Sequence, residues 1–153
     1  AVNYFWNGSA TSSVVKLKND WFVNGVNNTY VMYSWHSVSG YSKIGTYSGN
    51  GNATGPIIYT TDNGTSGGSN GFEPSWLMIK RTDTTGEWNI FDNKRDTSNP
   101  RNLTLWAQSG DTESTASQGG IYDVDFLANG FQIKNTYNPF NNSSGTYLYM
   151  TFA

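Results

Sequence analysis

Residues 29–51, TYVMYSWHSVSGYSKIGTYSGNG, decide the fold class. Val31 and Tyr33 alternate with Met32 and Ser34, Ile44 sits among polar neighbours, and turn residues close both runs. β-Branched and aromatic residues at a period near two, bounded by Gly, Ser and Asn, specify strands rather than helix. The stretch predicts strands over 29–36 and 41–47, joined by Ser37-Val38-Ser39-Gly40 and ended by Gly49-Asn50-Gly51. Its first run returns later in the chain. Thr29-Tyr-Val-Met-Tyr-Ser-Trp35 matches Thr146-Tyr-Leu-Tyr-Met-Thr-Phe152 position for position in residue type.

Outward from this stretch, short apolar runs recur at 2–6, 13–18, 56–60, 75–82, 87–92, 103–107, 121–127, 131–134 and 146–152. Residues 75–82 (SWLMIKRT) form the longest and read as a central strand, paired with 87–92 across Asp83-Thr-Thr-Gly86. Ala128-Asn129-Gly130 is a second strong hairpin signal. The Gly-, Ser- and Thr-rich segments 61–71 and 109–120 read as loops. Many short strands with frequent turn signals and no convincing helix predict an all-β, antiparallel β-sandwich, jelly-roll or lectin-like, with little or no helix. The matching strands 29–36 and 146–152 are expected side by side in it.

Composition agrees. Gly (17), Asn (19), Ser (17) and Thr (17) make up nearly half of the 153 residues, and these types favour turns over helix interiors. Aromatics at 16% are spread through the runs and can supply a core, so the chain is not of the disordered class. A single domain of this length buries roughly 70% of its unfolded surface. A net charge of −2 gives no reason to expect nucleic acid or an anionic membrane surface. No apolar run approaches the ~20 residues of a membrane helix, so no membrane insertion is expected. The absence of cysteine excludes disulfides and thiolate metal sites.

A weak repeat accompanies the two Thr-Tyr runs: Lys18-Asn-Asp-Trp21 precedes the first much as Lys134-Asn-Thr-Tyr137 precedes the second. Two readings follow. Either these are two similar hairpins of one domain spanning 1–153, or residues 1–28 close a preceding unit or form an interface arm beside a core at 29–153. Tyr4, Phe5, Trp6, Trp21 and Phe22 make the first segment strongly aromatic. It should therefore complete the sandwich or pack on a neighbouring subunit.

Catalytic signals are sparse. His36 is the only histidine and reads as a structural or surface residue. Asp123 and Asp125 share one face if 121–127 is a strand, ~7 Å apart along it. That spacing suits a glycosidase pair, but with the Asp residues alternating against Tyr122, Val124 and Phe126 a solvated face is the preferred reading. A calcium site from Asp123, Asp125, Asp111 or Glu113 lacks regular ligand spacing. No catalytic residue, metal or cofactor is expected. Lys80, Arg81, Asp92, Arg95 and Asp96 read as an ion-pair set around the 75–96 hairpin. Trp76, Trp88, Phe91, Trp106, Phe126 and Phe131 read as core. Trp6, Trp21, Trp35, Tyr41, Tyr47 and Tyr137 lie near strand ends beside Asn and Ser, where rings can stack on sugars or on protein partners.

Several runs resemble, in order, a domain of large virion proteins of tailed, often marine, bacteriophages. They are Tyr41–Gly51, Phe72–Arg81, Trp88–Asp92 with Arg95, Asp125–Phe131 and Gly145–Phe152. The resemblance covers roughly 29–153. In that family the domain often lies beside lectin-like β-sandwich domains in tail-fibre or other appendage proteins. It implies a non-enzymatic virion structural domain, tail-fibre or capsid-surface, extracellular on the particle and working with other virion subunits as an oligomer or tandem array. A carbohydrate-binding module of another extracellular protein is the alternative, and a glycan-cleaving enzyme the third reading. If a small ligand is bound, a neutral host-surface glycan is expected at Trp35, Tyr41, Tyr47, Asn50 and Asn52, where glycines admit close approach and amides both donate and accept.

Overall fold

The computed structural model describes residues 11–114 and 120–153. The chain divides into two compact units, 1–34 and 35–153. The sandwich is built by 35–153. The apolar run at 2–6, with Tyr4, Phe5 and Trp6, lies outside the described residues.

The described residues of unit 35–153 form eight strands in two antiparallel sheets that pack face to face, an all-β sandwich. The strands are β1 Ser42–Ser48, β2 Ile57–Tyr59, β3 Trp76–Arg81, β4 Trp88–Asp92, β5 Leu105–Trp106, β6 Val124–Leu127, β7 Gly130–Ile133 and β8 Thr146–Phe152. One sheet runs β1-β8-β3-β4-β5 and the other β2-β7-β6. The expected hairpins β3–β4 and β6–β7 both form, and β3 is the central strand of the larger sheet. Period-two patterning explains the packing: Leu77, Ile79, Phe91, Tyr147 and Tyr149 of the large sheet face Ile58, Val124, Phe126, Phe131 and Ile133 of the small one. Phe131 bridges the layers, edge-on to Tyr149 at 5.3 Å and to Tyr47 at 6.3 Å between ring centroids. Among the described residues, regular helix is confined to α1 Trp21–Asn24, in the first unit, and α2 Asn138–Asn141.

Three sequence expectations need correction. Residues 29–36 form no strand. The hairpin that would have held them starts with one bridge, Val38 to Ser42, and stops there. The reason lies in two serine side chains. Ser37 Oγ accepts from Ile44 N (3.0 Å) and donates to Ile44 O (3.5 Å), while Ser42 Oγ accepts from Val38 N and donates to His36 O. These local side-chain bonds replace the ladder that a strand partner would supply. Consequently 29–36 does not pair with 146–152: β8 pairs with β1 and β3. Residues 13–18 likewise form no strand, Leu17 making only an isolated bridge. The third concerns 121–127, where the strand begins only at Val124 because 120–123 turn, Gly120 adopting φ +77° and accepting from Asp123 N.

In the first unit, α1 is capped by Asp20, whose carboxylate accepts from Phe22 N at 2.9 Å. The Tyr30 hydroxyl closes the following turn, donating to Trp21 O (2.6 Å) and accepting from Gly25 N (2.7 Å). Tyr30 is thereby held by polar bonds at its tip, while Trp21, Phe22, Val26, Val31, Met32 and Tyr33 are exposed.

Candidate functional site

The five residues expected to hold a glycan do not form one site. Trp35 and Tyr41 lie before β1 and are each 57% exposed, with Tyr41 edge-on to Phe152 at 5.9 Å. Tyr47 is at the far end of the strand, about 20 Å away at the rise of an extended chain. It is 9% exposed and belongs to the core. Its ring stacks on Tyr147 (4.9 Å, 15° from parallel) and its hydroxyl donates to Phe140 O at 2.9 Å. Burial and the neighbouring Tyr147 push its phenol well above the usual tyrosine range. No face of this ring is open to a sugar.

Asn50 and Asn52 serve an internal network. Asn141 is fully buried; its Oδ1 accepts from Asn50 N, and its Nδ2 approaches Asn50 Oδ1 (3.0 Å), Asn52 O (2.7 Å) and Asn135 O (2.9 Å). Asn50 also donates to Thr54 O and accepts from Asn52 N. The Gly49–Asn52 loop is thus pinned to α2. Gly49 has to be glycine here, because a Cβ would stand 2.2 Å from Asn142 O.

What this network does is hold the wall of a cavity of about 510 Å³, lined by Ala53, Gly120, Asp123, Lys134, Tyr137 and Asn138 among others. Asp123 and Lys134 stand opposite each other just past the open end of the β6–β7 hairpin, where Lys134 N donates to Asp123 O at 2.9 Å. Asn135, 4% exposed, fixes the geometry by donating to Asp123 O (3.0 Å) and accepting from Tyr137 N (2.9 Å). The Tyr137 ring ends a rigid aromatic chain. It meets Tyr122 edge-on (5.8 Å, 90°) and Phe140 at 6.2 Å, and Phe140 packs on core Phe91. Asp123 Oδ1 is buried and has no hydrogen-bond partner among the described residues. Burial pushes the Asp123 carboxyl up, an Asn102 hydrogen bond opposes this, and the Asp125 and Asp96 charges reinforce it.

Asp123 thus stands just before β6, and the Asp125 charge acts on it from within the strand. Asp125 lies within β6 and its Oδ2 is 3.9 Å from Lys134 Nζ. His36 is exposed, with Nδ1 near its neighbour's carbonyl, Ser37 O. Among the described residues no group of three or more His, Cys, Asp or Glu is disposed to hold a metal. The ion-pair set forms with altered membership: Arg81 grips Asp83 through two bonds (2.8 and 2.9 Å), and Arg95 joins Asp92 to Glu113. Asp96 instead accepts from Asn102 N and Leu103 N. Arg81 and Asp83 thus brace the turn after β3, while Asp92, Arg95 and Asp96 order the loop after β4. Sequence reasoning had singled out Asp123 and Tyr137 separately, but missed Lys134, Asn135 and Asn141, which only the folded loop brings together.

No curated protein and no solved structure matches the chain significantly. The profile of a domain of unknown function, DUF7483, matches residues 1–153, and the chain belongs to that family.

Proposed function

We propose that the chain is a non-enzymatic structural domain of a bacteriophage virion, a tail-fibre or capsid-surface appendage acting in assembly or host-surface attachment. The observation that carries the assembly part is the apolar surface of the first unit, with Trp21 70%, Phe22 75% and Val31 76% exposed. Leaving so much apolar area in water is unfavourable by ~25 cal/mol per Å², and such patches mark contacts with other proteins. A notch of about 170 Å³ between Leu17, Phe22, Tyr30 and Met32 offers a seat for one inserted side chain of a neighbouring virion subunit. The bacteriophage part rests on the ordered motifs, which build β1, β3, β4, the β6–β7 hairpin and β8 and so account for the sandwich itself.

Two measurements test the reading. Mass spectrometry of purified particles should find the protein at stoichiometric copy number; absence from particles overturns the virion reading. Sedimentation of the intact chain should show self-association, or capture by another particle protein, that Trp21→Ser with Phe22→Ser abolishes without lowering the melting temperature of the sandwich. An intact chain that remains a monomer and binds no other particle protein removes the assembly part.

The alternative, a carbohydrate-binding module, is favoured by a different observation, the cavity at Asp123, Lys134 and Tyr137.

A further inference from the structure

We infer that the cavity bordered by Asp123, Lys134 and Tyr137 is a binding site for a neutral saccharide, one or two sugar rings of a surface glycan. The inference deepens the attachment part of the proposed function and rests on it for the biological source of the sugar, though not for the chemistry.

Four features carry it. The volume, about 510 Å³, lies within the ~300–1,000 Å³ of small-ligand sites. The aromatic wall is fixed in advance: Tyr137 is held by Tyr122 and Phe140 through its ring and by Asn135 through its backbone, so little ordering remains to oppose binding. The residue is 37% exposed, unlike Tyr47, and its ring can take the apolar face of a sugar.

The polar groups select what sits against that ring. Asp123, which borders the cavity, offers only acceptors when ionised. Lys134 offers only donors, and its ammonium is 3.9 Å from Asp125. A cation would meet Lys134 and an anion Asp123, so a ligand carrying one sign of charge is repelled by one wall. A hydroxyl donates to a carboxylate and accepts from an ammonium, and an array of hydroxyls on an apolar ring satisfies all three walls together. A zwitterion could match the charges but would leave the aromatic wall uncovered.

The amide network behind the cavity makes the site a built one. Asn135 and Asn141 are buried and spend their hydrogen bonds on the loops that carry Ala53, Asp123 and Tyr137. They are positioning residues; Asp123, Lys134 and Tyr137 are the contact residues.

The test is NMR titration of the intact chain with glucose, galactose, mannose, N-acetylglucosamine and N-acetylgalactosamine, and with lactose, maltose and chitobiose. Free glycine and lysine serve as zwitterion and cation controls. At least one sugar should shift the resonances of Asp123, Lys134 and Tyr137 while those of Trp35 and Tyr41 stay in place. Asp123→Asn should weaken it ~10-fold or more, the loss expected for a hydrogen bond to a charged group. Tyr137→Leu should weaken it further. Because Tyr137 packs on Phe140, a Thr136→Trp variant at the exposed cavity rim should also block binding with the melting temperature unchanged. Binding of none of the sugars, binding of only the zwitterion or cation, or equal sugar affinity in folded Asp123→Asn and Thr136→Trp overturns the inference. Particle mass spectrometry is independent of this result: a protein found in virions that binds no sugar refutes the cavity assignment alone, and a sugar-binding protein absent from virions refutes the virion reading alone.

Discussion

Tyr47 separates a core residue from a ligand-stacking one, and its replacement is expected to act on stability. Tyr47→Ala removes a ring that stacks on Tyr147 and meets Phe131 edge-on at the junction of the two sheets. Truncating a large buried side chain costs about 3–5 kcal/mol, part transfer and part cavity. Tyr47→Phe keeps the ring and loses only the bond to Phe140 O, which costs about 1–2 kcal/mol. A unit the size of 35–153 loses about 4 °C of melting temperature per kcal/mol. The expected falls are therefore about 12–20 °C for Tyr47→Ala and about 4–8 °C for Tyr47→Phe. Thermal unfolding followed by near-ultraviolet circular dichroism, checked against urea titration, measures both. A Tyr47→Ala protein that melts within about 2 °C of the parent would refute the core assignment and return Tyr47 to the surface.

Other perturbations follow from the same packing. Asn141→Leu keeps volume but leaves Asn50 N, Asn52 O and Asn135 O without their shared partner; a loss of about 3 kcal/mol in urea unfolding is expected, with faster hydrogen exchange at 49–55. Gly130→Ala sets a Cβ 2.1 Å from the backbone oxygen of Ile58, which cannot move without breaking the β2–β7 pairing, so soluble yield and cooperative unfolding should both be lost. Burial raises the phenols of Tyr47, Tyr147 and Tyr149. Above pH ~10 the unfolded chain releases protons that the folded one retains, so stability falls as pH rises; a melting temperature level between pH 10 and pH 11.5 would contradict it. The Arg81 guanidinium holds the Asp83 carboxyl down at about 2, so whatever Asp83 contributes is present above pH ~4 and fades towards pH 2; a low-pH carboxyl titration by NMR checks this.

The large sheet was legible because its strands carry unambiguous period-two patterns with turn chemistry between them: SWLMIKRT, EWNIFD and TYLYMTF each land on a strand within a residue or two. The failure at 29–36 has a definite cause. TYVMYSW matches β8 in type, but Ser37 Oγ takes Ile44 N and O and Ser42 Oγ takes His36 O, the groups of the next ladder pair after Val38 and Ser42. Pattern cannot weigh two hydroxyl bonds against a ladder. Tyr47 and Tyr41 look alike in sequence, yet one faces the second sheet and the other the solvent, a distinction set by which end of β1 the small sheet covers. The cavity was beyond reach for a simpler reason. Ala53, Asp123 and Tyr137 meet only because a buried asparagine on a four-residue helix ties together segments some ninety positions apart.

The position of β8 has a consequence for the order in which this sandwich is made. It is the last of the eight strands to be synthesised, yet it is inserted between β1 and β3, which never touch each other as neighbours. A nascent chain that has emerged only as far as α2 therefore presents two bare inner edges, one on β1 and one on β3–β4. Both are templates for another chain's backbone. The link from Ser42 to Phe152 spans nearly the whole unit, a contact that closes slowly. Crowded polysomes producing many copies would be where such edges find each other. The gap between β1 and β3 thus stays open until Thr146–Phe152 has emerged to fill it.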